Sequence, residues 1–155
     1  MTDEKVVEKL ISANRKATFD YSILERYEAG LALTGTEVKS ARDGKVNIKD
    51  GFARIDNGEL YLYNVHISPY SFGSYNNVDP ERKRKLLLHR REINRLMGRL
   101  TEGNLTLVPL RIYMKGNVVK AEIGLGRSKK AFDKRETIKK REVNREIRRA
   151  LTDRK

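Results

Sequence analysis

Most apolar positions in this chain alternate with polar ones, and two stretches instead repeat every three to four residues. The first is residues 3–13, "DEKVVEKLISA". Val6, Val7, Leu10 and Ile11 share a helical face and acidic residues fill the first turn, which predicts a short helix. "ATFDYSILERYEAG" alternates, with Phe19, Tyr21 and Ile23 on one side, and reads as a strand closed by Gly30. "LALTGTEVKSAR" predicts a second strand, with Gly35 as a bulge or sharp bend. "KVNIKDGFARIDNGELYLYNVHI" holds a hairpin whose Asn57-Gly58 pair suits a tight turn. "NLTLVPLRIYMKGNVVKAEIGLG" is a second hairpin turning at Lys115–Asn117, and Pro109 in its first arm predicts an edge position or a bulge.

The second helical stretch lies between the hairpins, at 80–100. Asp79 suits an N-cap, Pro80 the first helical position, and Gly103 a stop. At about 100° per residue, Leu86, Ile93, Leu96, Met97 and Leu100 share one face. Arg84, Arg91, Arg95 and Arg99 share the opposite one. Short strands that must hide their edges tend to close into a small barrel. The expected fold is therefore mainly β with helices (α+β). It is an OB-fold-like closed β-barrel of about six strands with peripheral helices.

Charge changes this picture at one end. The 155 residues carry 34 Lys and Arg against 21 Asp and Glu, a net charge of +13. From Arg127 to Lys155 there are 13 basic and 5 acidic residues, so most of the excess sits in the last fifth. The expected organisation is a barrel body over 1–126 and a basic tail over 127–155. Within the tail Val143, Ile147, Ala150 and Leu151 form one weak helical face. Such a segment is expected to be disordered when free and to become helical along RNA.

The charge also narrows the partners to nucleic acid or an anionic membrane. No apolar run is long enough to span a bilayer and no signal peptide is read, which leaves the membrane as the weaker option. There is no cysteine, so disulfides and thiolate zinc sites are excluded and a reducing cytosol is compatible. The two histidines, His66 and His89, read as structural or surface residues. No Ser–His–acid grouping, Walker loop or HExxH is present, and "GLGRSK" lacks the phosphate-loop spacing. No catalytic residue, metal or cofactor is expected.

Binding residues are expected in four places. Arg84, Arg91 and Arg95 lead an arginine stripe suited to phosphate, the alternative being a solvated helix face. In "TGTEVKSAR", Glu37 is a carboxylate amid basic residues that can accept hydrogen bonds from base amines, with Lys39 and Ser40 placed for phosphate and ribose. An ordinary surface strand is the alternative there. Asn14, Arg15 and Lys16 precede two aromatics that serve either base stacking or the core. The tail is the fourth place, or else a solvated appendage that adds only nonspecific affinity.

Five blocks then carry a family resemblance. "NRKATFDYSI", "AGLALTGTEVKSAR", "RKRKLLLHRREI", "LTLVPLRIY" and "SKKAFDKRETIKKR" are similar, in that order, to the motifs of the SsrA-binding protein (SmpB) family, over nearly the whole chain. The resemblance implies a bacterial, cytoplasmic, non-catalytic partner of transfer-messenger RNA, monomeric and bound 1:1. It implies a barrel that binds the tRNA-like domain and a tail that enters the empty mRNA channel of a stalled ribosome, beside 16S rRNA. It places Asn14, Arg15, Lys16, Glu37, Val38, Lys39 and Ser40 at the RNA surface. It places Asp133, Lys134 and Arg135 at the decoding centre, with Lys129, Lys130, Phe132, Lys139, Lys140 and Arg141 along the tail. Ser128 stands where the family usually has glycine. Other readings of the same charges are a barrel-fold ribosomal or rRNA-binding protein, an RNA-processing enzyme using Glu37, and a membrane binder.

Overall fold

Two local turns organise the sheet. Asn57 and Gly58 both take positive φ, 51° and 76°, which only a type I′ turn requires. This joins β4 (Phe52–Asp56) to β5 (Glu59–Tyr63) in full register from Phe52↔Tyr63 to Asp56↔Glu59. Gly116, at φ 61°, turns β8 (Leu105–Lys115) into β9 (Val118–Ser128). The register of that pair shifts between Pro109 and Arg111, so the proline sits at a bulge, as expected.

The computed structural model describes residues 7–70, 77–129 and 131–152. Its other strands are β1 (Glu8–Ala13), β2 (Tyr21–Leu31), β3 (Val46–Asn47), β6 (His66–Ile67) and β7 (Arg84–Leu87). Its helices are α1 (Arg15–Asp20), α2 (Gly35–Arg42), α3 (Arg90–Leu100) and α4 (Ala131–Thr152). β8, β4, β5, β7, β2 and β9 pair in that order, and β9 pairs back onto β8. Six strands thus form a ring, β1 adds to β8, and β3 and β6 pair apart. The ring interior holds Leu31, Leu60, Leu62, Leu86, Leu107, Ile123 and Leu125, and Leu96 of α3 joins the same cluster. A smaller cluster of Ala17, Val108 and Leu110 lies under α1.

Four sequence expectations are corrected. The described part of residues 3–13 is strand, not helix: β1 pairs with β8 from Glu8↔Lys115 to Ala13↔Arg111. Pairing an otherwise open edge of β8 outweighs the helical spacing. Residues 15–20 fold as α1 instead of continuing the following strand, because the Asn14 side chain accepts from the Ala17 amide as an N-cap. Residues 35–42 are α2 and not a strand. The Thr34 side chain accepts from the Glu37 amide, and the Glu37 carboxylate from the Thr34 amide, which is a reciprocal capping box. Finally, 80–100 is not one helix. Asp79 caps only a turn, β7 follows, and α3 starts at Arg90 with Glu92 reaching back to the His89 amide. The tail boundary also moves slightly: β9 runs to Ser128, beyond Gly126.

Gly51 is the glycine with the least room for a side chain. A Cβ there would stand 2.9 Å from both Pro109 Cγ and Val65 Cγ2. Gly51→Ala is expected to lower stability by about 1–3 kcal/mol, as overpacking does, and urea unfolding checks it.

Candidate nucleic-acid interface

Glu37 sits on the first turn of α2 and is 4 % exposed. Its Oε1 accepts from the Thr34 amide at 2.9 Å and from the Arg82 guanidinium. Its Oε2 accepts from Arg84 Nε at 2.6 Å. Arg84 is fully buried and also donates to the Val65 carbonyl at 2.7 Å and the Pro80 carbonyl at 2.9 Å. Two sequence expectations change with this. Arg84 belongs to β7, off the helix, and has no donor turned to solvent. Glu37 has spent its acceptors inside the protein, so it is not placed to meet base amines. The pair holds α2 against β7 and the chain around Pro80.

The rest of that block divides by burial. Ser40 is fully buried, and its Oγ has no hydrogen-bond partner among the described residues, so it is no ribose contact. Val38 is half-buried against the core. Lys39 alone of the four is exposed, with its ammonium 5.4 Å from the Tyr70 ring centre. Asn14 is buried too. Its Nδ2 donates to the Pro109 carbonyl at 3.1 Å, so it fixes α1, while Arg15 and Lys16 on that helix face solvent.

The arginine stripe is reduced to α3. Arg95 is taken by Glu25 at 3.0 Å, and Arg90 by Glu59 and the Gly58 carbonyl, each at 2.6 Å. Arg91 is exposed and meets no carboxylate among the described residues. The apolar face is confirmed at Ile93 and Leu96, whereas Met97 is 42 % exposed.

Other cations divide in the same way. Arg26 and Arg111 share Glu122, and Lys115 meets Glu28. Arg15, Lys16, Lys49 and Arg54 are exposed and meet no carboxylate among the described residues. Lys16 and Lys49 flank a cleft of about 230 Å³ between α1 and the turn before β4, which also exposes Asp20, Tyr21, Asp50 and Phe52. Sequence reasoning missed Lys49 because only the fold brings it beside α1.

In the tail, the Lys129 amide bonds the Asp20 carbonyl at 2.9 Å and its ammonium the Thr18 carbonyl at 3.4 Å. Lys130 and the side chains of Phe132, Asp133 and Lys134 lie outside the described residues. Arg135, Lys139, Lys140 and Arg141 are exposed on α4, and the Arg141 guanidinium lies 5.9 Å from the Phe19 ring centre. Ile138, Val143 and Ile147 of α4 are also exposed, at 42 %, 52 % and 53 %. Among the described residues no helix is long and apolar enough to cross a membrane.

The model of the SmpB protein family matches residues 11–153. The chain belongs to the SmpB family. An SsrA-binding protein of Carboxydothermus hydrogenoformans is 61 % identical over 145 residues, 94 % of this chain and 97 % of its own. That of Enterococcus faecalis is 57 % identical over 143 residues, 92 % and 93 % of the two chains. A solved chain from a structure named "tmRNA-SmpB: a journey to the center of the bacterial ribosome" is 58 % identical. It superposes with a TM-score of 0.65 over 77 % of this chain and 85 % of its own. The SmpB match runs from inside β1 past the end of α4, so it takes in the ring of strands and α4 alike.

The Glu37 network gives this SmpB barrel an acid limit. Burial pushes the carboxyl up, but bonds from Arg82, the Thr34 amide and Arg84 outweigh it, and its pKa lies below the ordinary 4.5. A group depressed on folding stabilises fully above its unfolded pKa and loses that contribution as pH falls through the folded one. Stability is expected to hold from neutral pH to about pH 5 and to drop below about pH 4.5, more in the parent than in a Glu37 variant. Urea unfolding across that range checks it.

Proposed function

We propose that this chain is the adaptor that binds the tRNA-like domain of transfer-messenger RNA and delivers it to stalled ribosomes in the bacterial cytoplasm. It does so as a monomer, one per RNA, and catalyses no reaction itself. The observation that carries this reading is the SmpB match across both barrel and tail. The geometry supports it by leaving Lys16 and Lys49 exposed at one aromatic-edged cleft and Arg15 exposed elsewhere on α1, none of the three meeting a carboxylate among the described residues. Cations there neutralise phosphates and the rings accept bases. The buried Glu37 and Arg84 act by holding α2, not by touching RNA. The basic α4 takes the place of mRNA in the ribosomal channel, where a polyanionic wall supplies the order it lacks alone.

The test is competition on the full chain between the tRNA-like domain and a ribosomal RNA hairpin. The tRNA-like domain should win. Arg15→Ala with Lys16→Ala should reduce the salt slope by about 1.8, two phosphate contacts at about 0.9 each if duplex behaviour holds. Equal competition by the hairpin would put a general rRNA-binding protein in place of the adaptor.

A further inference from the structure

The ring of strands has a seam. β4 pairs with β5 at five positions but with β8 at one, Ala53↔Leu107. Beyond that pair the two strands part, and the C-terminal end of α3 lies over the gap. The result is a groove of about 450 Å³, walled by Phe52, Met97, Leu100, Leu105 and Thr106, with Arg54 at its rim. No carboxylate lines it. Thr106 is half-buried, and its hydroxyl has no hydrogen-bond partner among the described residues. Met97 stays 42 % exposed there, on a helix whose Ile93 and Leu96 are buried.

Arg54 is held against two stacked rings. Phe52 and Tyr63 stack with ring centres 5.2 Å apart and planes 10° from parallel. The Arg54 guanidinium lies 5.5 Å from one ring centre and 5.6 Å from the other. Stacking on aromatic faces orients a guanidinium without using its N–H donors. Those donors meet no carboxylate among the described residues, unlike those of Arg26, Arg82, Arg90, Arg95 and Arg111.

We propose that this groove holds one unpaired RNA base, with Arg54 on the adjoining phosphate. A base has apolar faces for Phe52, Met97 and Leu100 and a polar edge for Thr106 and the unpaired strand backbone. An apolar segment of a protein would fit the walls, but it would bury the Arg54 charge without a counter-ion, which is costly. A nucleotide brings its own anion. The inference rests on the reading of the chain as an RNA binder and adds a contact away from Arg15 on α1. Phe52 and Thr106 also edge the cleft beside Lys16 and Lys49, so one strand of RNA has a continuous path between the two.

The experiment uses the full chain labelled with 13C at its methionine methyls. Met97 reports the groove, and Met114, 6 % exposed, is the internal control. The probe is a single-stranded oligouridylate of about twelve nucleotides, within the span such surfaces occupy. A hairpin RNA of similar length and the tRNA-like domain are titrated in parallel. The Met97 methyl is expected to shift with the single strand and not with the hairpin, while Met114 stays put. Arg54→Gln should abolish the shift and weaken oligouridylate binding roughly tenfold, as loss of a charged hydrogen bond does. The free variant should keep the parent Met114 signal, showing an intact barrel. Binding seen by anisotropy with a silent Met97 would overturn the proposal, as would an Arg54→Gln variant that shifts Met97 like the parent. If the tRNA-like domain binds and the oligouridylate does not, the groove assignment falls and the adaptor reading stands. If neither binds, both fall.

Discussion

Glu37→Ala is expected to cost about 3–5 kcal/mol of folding stability, the range seen when one partner of a buried ion pair is removed. The reason is the state of what remains. Arg84 is fully buried and keeps its bonds to the Val65 and Pro80 carbonyls, but loses the carboxylate that accepts from its Nε. Arg82 loses the same anion, and the Thr34 amide loses its capping partner. Glu37→Gln keeps the shape and one acceptor and should cost less, yet it still strands the Arg84 charge. Glu37→Leu combined with Arg84→Met should recover much of the loss, because removing both charges is far cheaper than removing one. Urea unfolding of the four proteins measures this. A Glu37→Ala variant within about 1 kcal/mol of the parent, the scale of a surface pair, would show that the network is not holding α2. RNA affinity separates the roles. At a temperature where Glu37→Gln is fully folded, its affinity for the tRNA-like domain should equal the parent's, since no oxygen of Glu37 faces outward.

The sequence could not distinguish that role from a direct RNA contact. On paper Glu37 is a carboxylate among basic residues, and the arginines that claim it lie 45 and 47 positions later. The hairpins were legible because their determinants are local: Asn57-Gly58 sets one register and Pro109 marks its own bulge. The barrel followed from those strands and from the need to close edges. α2 also carries a local signature, since Thr34-x-x-Glu37 is a capping box, but the alternation of the preceding strand runs up to it and masks it. Helical spacing taken as continuous misplaces Arg84 in the same way. A helical wheel aligns any residue with any other once continuity is assumed, and here a strand and a turn separate Arg84 from α3. β1 shows the opposite limit. Val7, Leu10 and Ile11 fit a helix as well as a strand, and the open edge of β8, about a hundred residues away, decides between them.

A chain ending at Lys129 is expected to keep its preference for the tRNA-like domain and to lose peptide tagging on stalled ribosomes. The cut falls after the Lys129 hydrogen bonds to α1 and removes the Arg141 contact with Phe19. The Lys129 amide still reaches the Asp20 carbonyl, and β9 keeps its pairing from Tyr21↔Ser128. A cut at Gly126 would instead remove three pairings of the ring, Tyr21↔Ser128, Ser22↔Arg127 and Leu105↔Arg127. What is lost beyond Lys129 carries 11 basic and 5 acidic residues. Affinity for the tRNA-like domain should change by less than about fivefold, equivalent to ~1 kcal/mol, if the tail acts only in the ribosome. α4 exposes Ile138, Val143 and Ile147, so little apolar burial holds it as a helix in the free protein. Its amides should therefore exchange with almost no protection, while those of β8 and β9 are protected. Lys134→Ala with Arg135→Ala in the full chain should reproduce the tagging defect without the truncation. If the shortened chain loses its preference for the tRNA-like domain, recognition extends into the tail. Protected α4 amides would mean that the helix docks on the barrel through contacts such as Arg141 over Phe19, and must be released before it can enter the channel.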